Sequence, residues 1–232
     1  MNHTHLDISG NSLRMFTCME ATGVYDLQPY PFLTSLKADY NKITSFIINI
    51  PSTLKRLTCR YGRVQNLDNL PEGLESLECD YNRIQSLDYL PSSLKYLSCF
   101  KNEIEHLDCL PTNLEELRCG CNPLKELDHL PEQLKSLNCY HVTSLEYVDH
   151  LPASLHTLIC RNTTIKDLCF LPSTIKSILF EEKNNEKSFW KRVADLTRLF
   201  GLQRSECFVD QGAKKVILHV SSIKKQIILT RK

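Results

Sequence analysis

Apolar residues recur at a fixed spacing along most of the chain. The clearest copies begin at Leu70, Leu90 and Leu110 and share the pattern LPxxLxxLxCxxNxIxxLDx, which repeats every 20 residues. A constant period of this length is typical of proteins built from stacked structural repeats. The pattern therefore predicts a solenoid, in which each unit buries its apolar residues against its neighbours.

One short segment of each unit alternates in the manner of a half-buried strand. In one unit, Leu97 and Cys99 would point to one side of such a strand, while Tyr96 and Phe100 would point to the other. The remaining apolar residues do not alternate. About ten residues, interrupted by Pro111, are left for the return to the next strand, which is too few for a multi-turn helix. We expect one strand per unit and an extended or short 3₁₀ return side.

The repeats are predicted to occupy residues 13–181, after a short N-terminal segment of residues 1–12. They comprise about eight units and a truncated ninth that ends near Phe180. One extra residue near Val142 to Leu145 predicts a bulge or a wider turn between Tyr140 and Leu145. The leucine column of the predicted strands contains, in chain order, Phe16 as a weak first member, then Leu36, Leu57, Leu77, Leu97, Leu117, Leu137, Leu158 and Ile178.

The segment LxxLxCxxNxI resembles the strand and turn of the leucine-rich repeat family, over about three quarters of the chain. The 20-residue unit with Leu-Pro on its return side is similar to the repeats of bacterial type-III effector proteins. Cysteine-bearing units like these also resemble leucine-rich proteins of large DNA viruses. The resemblance implies an α/β-class solenoid that is mostly β, a right-handed superhelix with a parallel sheet on its concave face. It also implies an effector or adaptor directed at a host cell.

Cysteine is unusually frequent, with 11 residues in the chain. An odd number without a visible secretory signal favours free thiols in a reducing compartment over a disulfide scaffold. One column of the repeat contains Ala38, Phe180 and the residues Cys18, Cys59, Cys79, Cys99, Cys119, Cys139 and Cys160. A small apolar thiol suits a core, whereas stacked strands would hold the sulfur atoms in a poor arrangement for disulfides or metal ligation. Outside this column, Cys121 and Cys207 are the expected exposed thiols.

Two polar columns have predicted structural roles. The buried column of Asn41, Gly62, Asn82, Asn102, Asn122, Val142 and Thr163 would satisfy backbone groups of the turns where it contains an amide. The aspartates of the return side suit solvated or turn-capping positions better than a calcium site, because each unit offers one carboxylate. They are Asp68, Asp88, Asp108, Asp128 and Asp149. His129 and His150 follow two of them, but lack the ligand spacing of a metal site.

The outward side chains of the stacked strands are the predicted binding surface, because adjacent units form one rigid face. Tyrosine and arginine provide contact area and bidentate hydrogen bonds at low entropic cost. The alternative is that the tyrosines simply suit strands. Tyr40, Tyr61 and Tyr81 are in register, and the full set of candidates is Tyr40, Arg56, Arg60, Tyr61, Tyr81, Tyr96, Phe100, Arg118, Tyr140 and Arg161.

The period stops before residues 182–232, which are basic. From Lys183 onward, 12 Lys and Arg oppose 4 Asp and Glu, although the whole chain has a net charge of only +1. A helix from Ser188 to Gly201 and a hairpin formed by KKVILHV and IKKQIILT are predicted to cap the solenoid. The alternative is that Lys214, Lys215, Lys224 and Lys225 bind nucleic acid or an anionic membrane surface.

The composition indicates a globular protein without a transmembrane segment, since no apolar run approaches 18 residues. We expect a monomer in the cytoplasm or the host cytosol that binds a protein partner and needs no cofactor or metal. The enzymatic alternative is a cysteine-dependent ubiquitin ligase of the kind appended to some bacterial effector repeats. Its catalytic domain is far longer than the basic C-terminal segment, so the sequence favours a non-enzymatic interaction module.

Overall fold

The computed structural model describes residues 4–9, 27–41, 49–145, 148, 150–165, 171–182, 198, 207–210, 215–220 and 225–231. One strand per unit forms a parallel sheet, as the repeat predicts. Its strands are β1 (His5–Asp7), β2 (Ser35–Lys37), β3 (Arg56–Thr58), β4 (Ser76–Glu78), β5 (Tyr96–Ser98), β6 (Glu116–Arg118), β7 (Ser136–Asn138), β8 (Thr157–Arg161) and β9 (Ser177–Glu182).

The leucine column sets the register of this sheet. Leu57 lies opposite Leu77, which lies opposite Leu97, and the same pairing continues to Ile178 in β9. These side chains are at most 1% exposed. Burial of each leucine contributes about 2 kcal/mol, and a one-residue slip would turn the whole column to solvent. The predicted solenoid and its parallel sheet are confirmed.

The sheet starts earlier than the sequence interpretation placed it. β1 lies within the predicted N-terminal segment and pairs with β2, so that Leu6 rather than Phe16 is the neighbour of Leu36. The sequence LDISGNSL from Leu6 matches the strand and turn of the template, with Ile8 in the cysteine column. We missed this unit because 30 residues separate Leu6 from Leu36, so that it falls outside the 20-residue period.

The return side is extended and contains two tight turns per unit. Of the two predicted possibilities, extended or short 3₁₀ structure, the extended one therefore forms. The Leu-Pro element builds one of these turns. In the unit at Pro71, the carbonyl of Pro71 accepts a hydrogen bond from the amide of Leu74 at 2.9 Å, and six other prolines make the same bond. Proline suits this position because the turn needs its carbonyl and not an N–H.

The asparagine column has the predicted role. Asn102 donates to the carbonyls of Cys79 and Cys99, both at 3.0 Å, and its Oδ1 accepts the amide of Ile84 at 3.0 Å. Asn82 and Asn122 bond in the same way. Each amide therefore joins two neighbouring units at the turn that follows the strand.

The turn at the inserted residue is closed differently, as expected from the loss of asparagine there. The amide of Val142 bonds the carbonyl of Cys139 at 3.3 Å, which replaces the side-chain bond of the other units. Val142 itself is fully buried. In the next unit, the hydroxyl of Thr163 restores a side-chain bond, to the carbonyl of Cys160 at 2.8 Å.

The described members of the cysteine column are buried free thiols. Burial raises the pKa of Cys59 and of Cys139 to about 12, and it raises the pKa of Cys79, Cys99 and Cys119 as well. At neutral pH these groups are therefore protonated and poor nucleophiles. This supports the core role over a redox or metal role. Cys18 and Cys169 lie outside the described residues.

The C-terminal strands extend the same sheet. They are β10 (Cys207–Asp210), β11 (Lys215–Val220) and β12 (Lys225–Arg231), in the order β9-β12-β11-β10. β11 and β12 pair in an antiparallel manner, as the predicted hairpin requires, and β12 pairs with β9 in parallel. β10 was not anticipated. The predicted helix lies outside the described residues except Arg198, so the cap remains a prediction.

Candidate binding surface

Some of the predicted binding residues do lie on the strands. Arg56 and Tyr96 are the first residues of β3 and β5, Arg118 is the last residue of β6, and Arg161 ends β8. The guanidinium of Arg118 lies 5.4 Å from the ring centre of Tyr96, and it pairs with Glu116 at 2.9 Å. Burial raises the pKa of Tyr96, so its hydroxyl stays protonated at neutral pH.

The tyrosine ladder lies elsewhere. Tyr40, Tyr61 and Tyr81 are each three residues past the end of a strand, and all three have a left-handed backbone, with φ of 56–58°. Tyr81 is two residues after Cys79, so a continued strand would have pointed its ring into the core. The left-handed turn reverses this orientation: Asn82 faces inward and Tyr81 faces outward. The sequence interpretation, which placed these tyrosines on the strands themselves, is corrected here.

The three tyrosine rings stack face to face. The ring centres of Tyr40 and Tyr61 are 4.5 Å apart with an interplanar angle of 2°, and those of Tyr61 and Tyr81 are 4.4 Å apart at 17°. Tyr40 is 58% exposed and Tyr61 43%. Because stacked rings cover each other's faces, what remains exposed is mainly ring edges and hydroxyl groups.

The stack continues along the solenoid through two residues of the neighbouring column. Phe100 lies 5.6 Å from Tyr81, and Tyr140 lies 6.2 Å from Phe100 although their strands are not adjacent. Gly120 makes this contact possible, because a Cβ at that position would lie 3.1 Å from the Phe100 ring. We call the five side chains the aromatic ridge: Tyr40, Tyr61, Tyr81, Phe100 and Tyr140.

Backbone hydrogen bonds hold the ridge in place. The amide of Tyr40 donates to the carbonyl of Arg60 at 2.7 Å, and the amide of Tyr81 donates to that of Phe100 at 2.8 Å. The carboxylate of Asp80 accepts the amide of Phe100 at 2.8 Å and the hydroxyl of Ser98 at 2.6 Å. The rings are therefore mounted on a backbone that is bonded from unit to unit.

Arg60, a predicted binding residue, is held by ion pairs under the ridge. Its guanidinium donates to Asp39 at 2.9 Å and to Glu78 at 3.1 Å, and its amide bonds Asp39 as well. The hydrogen bond to Asp39 raises the pKa of Arg60, and Asp39 is only 5% exposed. The charge of Arg60 is therefore already paired within the chain, although its side chain is 37% exposed.

Three further cations flank the ridge and were not among the predicted site residues. Arg63 and Arg83 are exposed and follow Tyr61 and Tyr81 by two positions, on the other side of the buried column. Lys101 has its ammonium group 5.2 Å from the ring centre of Tyr81. The 20-residue spacing of Arg63 and Arg83 was visible in the sequence. We missed them because we considered only positions on the predicted strands.

The return side contains exposed pairs of histidine and acidic residues. His129 lies 3.2 Å from Asp108, and His150 lies 3.6 Å from Asp128. Ligand atoms of Asp108, Glu126 and His129 lie within 4.8 Å of one another, so these three could hold a metal ion. All three are exposed, and they contact a histidine or a carboxylate of the adjacent unit: Asp108 contacts His129, and Glu126 contacts His106. Asp88, Asp108 and Asp128 are solvated, as expected, and Asp149 lies outside the described residues.

The structure describes, to different extents, the two cysteines that were predicted to be exposed. Cys121 is half-buried and occupies the same left-handed position as the tyrosines, whereas only the backbone of Cys207 is described. Cys109 is the exposed thiol within the described part of the chain, which the sequence interpretation did not anticipate. Partial desolvation and the nearby Asp88 raise the pKa of Cys109, so nothing around it favours a thiolate nucleophile.

Of the four lysines in the nucleic-acid alternative, Lys215 and Lys225 are described. Lys215 lies opposite Thr230, and Lys225 lies opposite Val220, so the two lysines are at opposite ends of the β11–β12 pair. Five residues of extended strand separate them, or about 17 Å. Lys214 and Lys224 lie outside the described residues. The two described lysines therefore do not lie in one patch.

Solved structures of known proteins resemble this one, whereas no family model and no curated protein matches the chain. The chain is 32% identical to YopM, a leucine-rich effector protein from Yersinia pestis, over 67% of this chain and 43% of that chain, with a TM-score of 0.60. It is 25% identical to the functional domain of InlJ from Listeria monocytogenes, over 68% of this chain and 42% of that chain, with a TM-score of 0.54.

These matches bear on the fold and on the cysteine column. The InlJ domain includes a cysteine ladder. A Shigella effector domain of leucine-rich repeats matches 85% of this chain and 81% of its own length at 21% identity and a TM-score of 0.60, which is a likeness of fold alone. The chain spans less than half the length of the YopM and InlJ structures. Within the described residues, no helix has the length and hydrophobicity needed to cross a bilayer.

Proposed function

From a chain that folds as a leucine-rich repeat solenoid similar to those of bacterial effector proteins, we infer a non-enzymatic module that binds a partner protein through its aromatic ridge. The observation that carries this proposal is the stack of Tyr40, Tyr61 and Tyr81, of which Tyr40 and Tyr61 are exposed, continued by the half-buried Phe100 and Tyr140. Neighbouring strand residues Arg56, Tyr96 and Arg118 would extend the surface onto the concave face, and Arg161 would extend it along the solenoid.

The energetics of the ridge suit protein binding. Tyrosine provides a large contact area and a hydroxyl with only two side-chain torsions to fix. Here the rings are already fixed by stacking and by the hydrogen-bonded turns beneath them, so ordering them on binding costs little. If the tyrosines had only a packing role, their rings would be buried against apolar surface. Tyr40 is instead 58% exposed.

The effector or adaptor role and the cellular location belong to the same proposal. The free cysteines, including the exposed Cys109, suit a reducing compartment such as the cytoplasm or the cytosol of a host cell. A monomer is sufficient, because the ridge needs no second copy. The alternative of nucleic-acid binding by the basic C-terminal lysines is not supported by the positions of Lys215 and Lys225 at opposite ends of their strand pair.

Replacement of Tyr40, Tyr61 and Tyr81 together by alanine tests the proposal. We expect partner capture in an affinity or proximity-labelling experiment to be lost, because the exposed part of the ridge is gone. Loss of the stacking contacts should lower the free energy of unfolding by about 1–3 kcal/mol, so the variant should still unfold cooperatively. Tyr89→Ala is the matched control, since Tyr89 is 74% exposed on the return side.

The contrary outcomes are distinct. A triple variant that captures the same partners as the wild type would place binding elsewhere. A triple variant that no longer folds would support the packing role of the tyrosines. Retention of the intact chain on DNA or RNA that weakens steeply with salt would favour the basic C-terminal segment instead.

A further inference from the structure

The ridge has a charged flank along its first half. Arg63 and Arg83 follow Tyr61 and Tyr81 by two positions, and the ammonium group of Lys101 lies 5.2 Å from the ring centre of Tyr81. All three cations are exposed. Since successive units are about 4.8 Å apart, Arg63 and Arg83 are neighbours in one column, whereas Lys101 follows Tyr81 in the column of the stacked rings. We call these three cations the cationic row.

The cations of this row form no direct ion pair with the carboxylates around them. Asp39 and Glu78 are both bonded to Arg60, and Asp80 accepts hydrogen bonds from the neutral amide of Phe100 and the neutral hydroxyl of Ser98. Across the described residues, no carboxylate lies within ion-pair distance of Arg63, Arg83 or Lys101. Four other lysines of the repeats pair with a carboxylate of an adjacent unit: Lys55, Lys95, Lys125 and Lys135.

At its far end the row stops at an acidic residue. Glu103 occupies the position that corresponds to Arg83 in the next unit, and it accepts a hydrogen bond from Gln85 at 3.0 Å. The positive part of the flank therefore covers the units of β3 and β4 and the start of the next one. Three units span about 10 Å, which is the length of about three residues of an extended peptide.

We propose that this half of the ridge binds an extended acidic segment of the partner protein. Arginine forks and tyrosine hydroxyls would donate hydrogen bonds to two or three carboxylates, and the ring edges would contact an adjacent apolar side chain. The proposal rests on the proposed function and adds the chemistry of the partner. Nucleic acid fits less well, because single strands bind aromatic residues through open ring faces. Here the tyrosines cover each other's faces.

Selection from a displayed library of random 12-residue peptides tests this inference on the full chain. We expect the recovered peptides to be enriched in Asp and Glu next to an aromatic or aliphatic residue. Binding of a recovered peptide, made synthetically, should weaken about tenfold or more in the Arg63→Glu/Arg83→Glu variant, since the reversal places like charges opposite each other. Arg63→Lys/Arg83→Lys should retain part of the affinity, because the charge remains while the bidentate fork is lost.

Two controls separate a local effect from a general one. Lys176→Glu reverses an exposed lysine just before β9, far along the solenoid, and should leave the peptide affinity unchanged. The Tyr40/Tyr61/Tyr81 alanine variant should lose the same peptides. Circular dichroism of each variant shows whether the solenoid is intact.

Peptides without acidic enrichment, or peptides bound equally by the charge-reversed variant, would overturn the acidic assignment. If such peptides still depended on the tyrosines, the proposed function would stand. Failure to recover any peptide above background would also count against the inference. Binding of a single-stranded oligonucleotide that is lost in the same arginine variant would assign this strip to nucleic acid instead.

Discussion

Seven residues that follow the strands, from Tyr40 to Asn162, have a left-handed backbone although none is glycine. This conformation costs roughly 1–2 kcal/mol per residue. The cost is offset by hydrogen bonds between units, such as that from the amide of Tyr61 to the carbonyl of Asp80 at 2.9 Å, and by the asparagine that follows in most units. Tyr40 and Tyr81 thus depend on the buried amides of Asn41 and Asn82 next to them.

Asn102→Ala tests this dependence. The change removes a donor to two carbonyls and the acceptor for the amide of Ile84, all of them buried. Unsatisfied groups of this kind should lower the free energy of unfolding by about 2–4 kcal/mol, measured by urea denaturation. Asn113→Ala is the control, because Asn113 makes one exposed bond to the carbonyl of Ser92. Equal effects of the two changes would contradict the role assigned to the column.

The thiols provide a second residue-level prediction. In the native chain, the buried thiols should resist alkylation, and a raised pKa keeps the first five of them protonated as well; they are Cys59, Cys79, Cys99, Cys119, Cys139 and Cys160. Cys109 should react, and faster as the pH rises, because its raised pKa leaves little thiolate at neutral pH. Peptide mass spectrometry locates the label, and denaturant should expose the buried six. If the six cysteines were alkylated in the native chain as fast as Cys109, they would not be part of a buried core.

At this scale the sequence predicted burial well and orientation less well. The period identified which leucines and cysteines are buried, and spacing alone placed Asn102 among turn residues. Alternation could not show where Tyr81 points, because it holds only while the strand continues. The strand ends at Glu78, and the left-handed turn that follows changes the direction of the side chain.

Among the elements, the turn after β6 decides whether the ridge is continuous. Gly120 has no side chain, which lets Phe100 and Tyr140 approach each other from units on either side. A Cβ at this position would lie 2.5 Å from the carbonyl oxygen of Tyr140 as well as against the Phe100 ring. The neighbouring backbone would have to move.

Gly120→Ala should therefore destabilise the chain by about 1–3 kcal/mol and separate the two rings. Urea denaturation measures the first effect, and ring-to-ring contacts in a nuclear Overhauser spectrum measure the second. Gly73→Ala is the comparison. A Cβ at that position would lie 3.4 Å from the end of the flexible Lys55 side chain and 3.0 Å from the backbone oxygen of Ser52, so we expect a smaller loss of stability. An unchanged Phe100–Tyr140 contact in Gly120→Ala would contradict the role of the glycine.

The sequence pattern predicts the regular strands and misses the irregular ones. Eight of the nine parallel strands lie where the period put them, because each contains a leucine of the regular column. β1 was missed, since its unit is longer than the others. β10 was missed because Cys207–Asp210 has no neighbour in the repeat to compare with.

In the whole molecule, the stacked units form one continuous surface that has two distinct rows of side chains. Strand residues form the floor of this surface, where Tyr96 and Arg118 lie. The turn residues form the ridge beside it, where the exposed aromatic rings and the unpaired cations lie. The sequence predicted a binding face for the solenoid. Its division into a floor and a ridge needed three-dimensional information, because the two rows are only a few residues apart along the chain.

Site-specific photo-crosslinking tests most directly whether a partner binds at the ridge. A photoreactive phenylalanine analogue would replace Tyr61 on the ridge, Ser136 at the start of β7 on the floor, or Tyr89 on the return side. The account predicts that a partner is crosslinked efficiently from position 61 and not from position 89, with any product from position 136 weaker. Crosslinking of the same partner from position 136 or 89, with none from position 61, would contradict it.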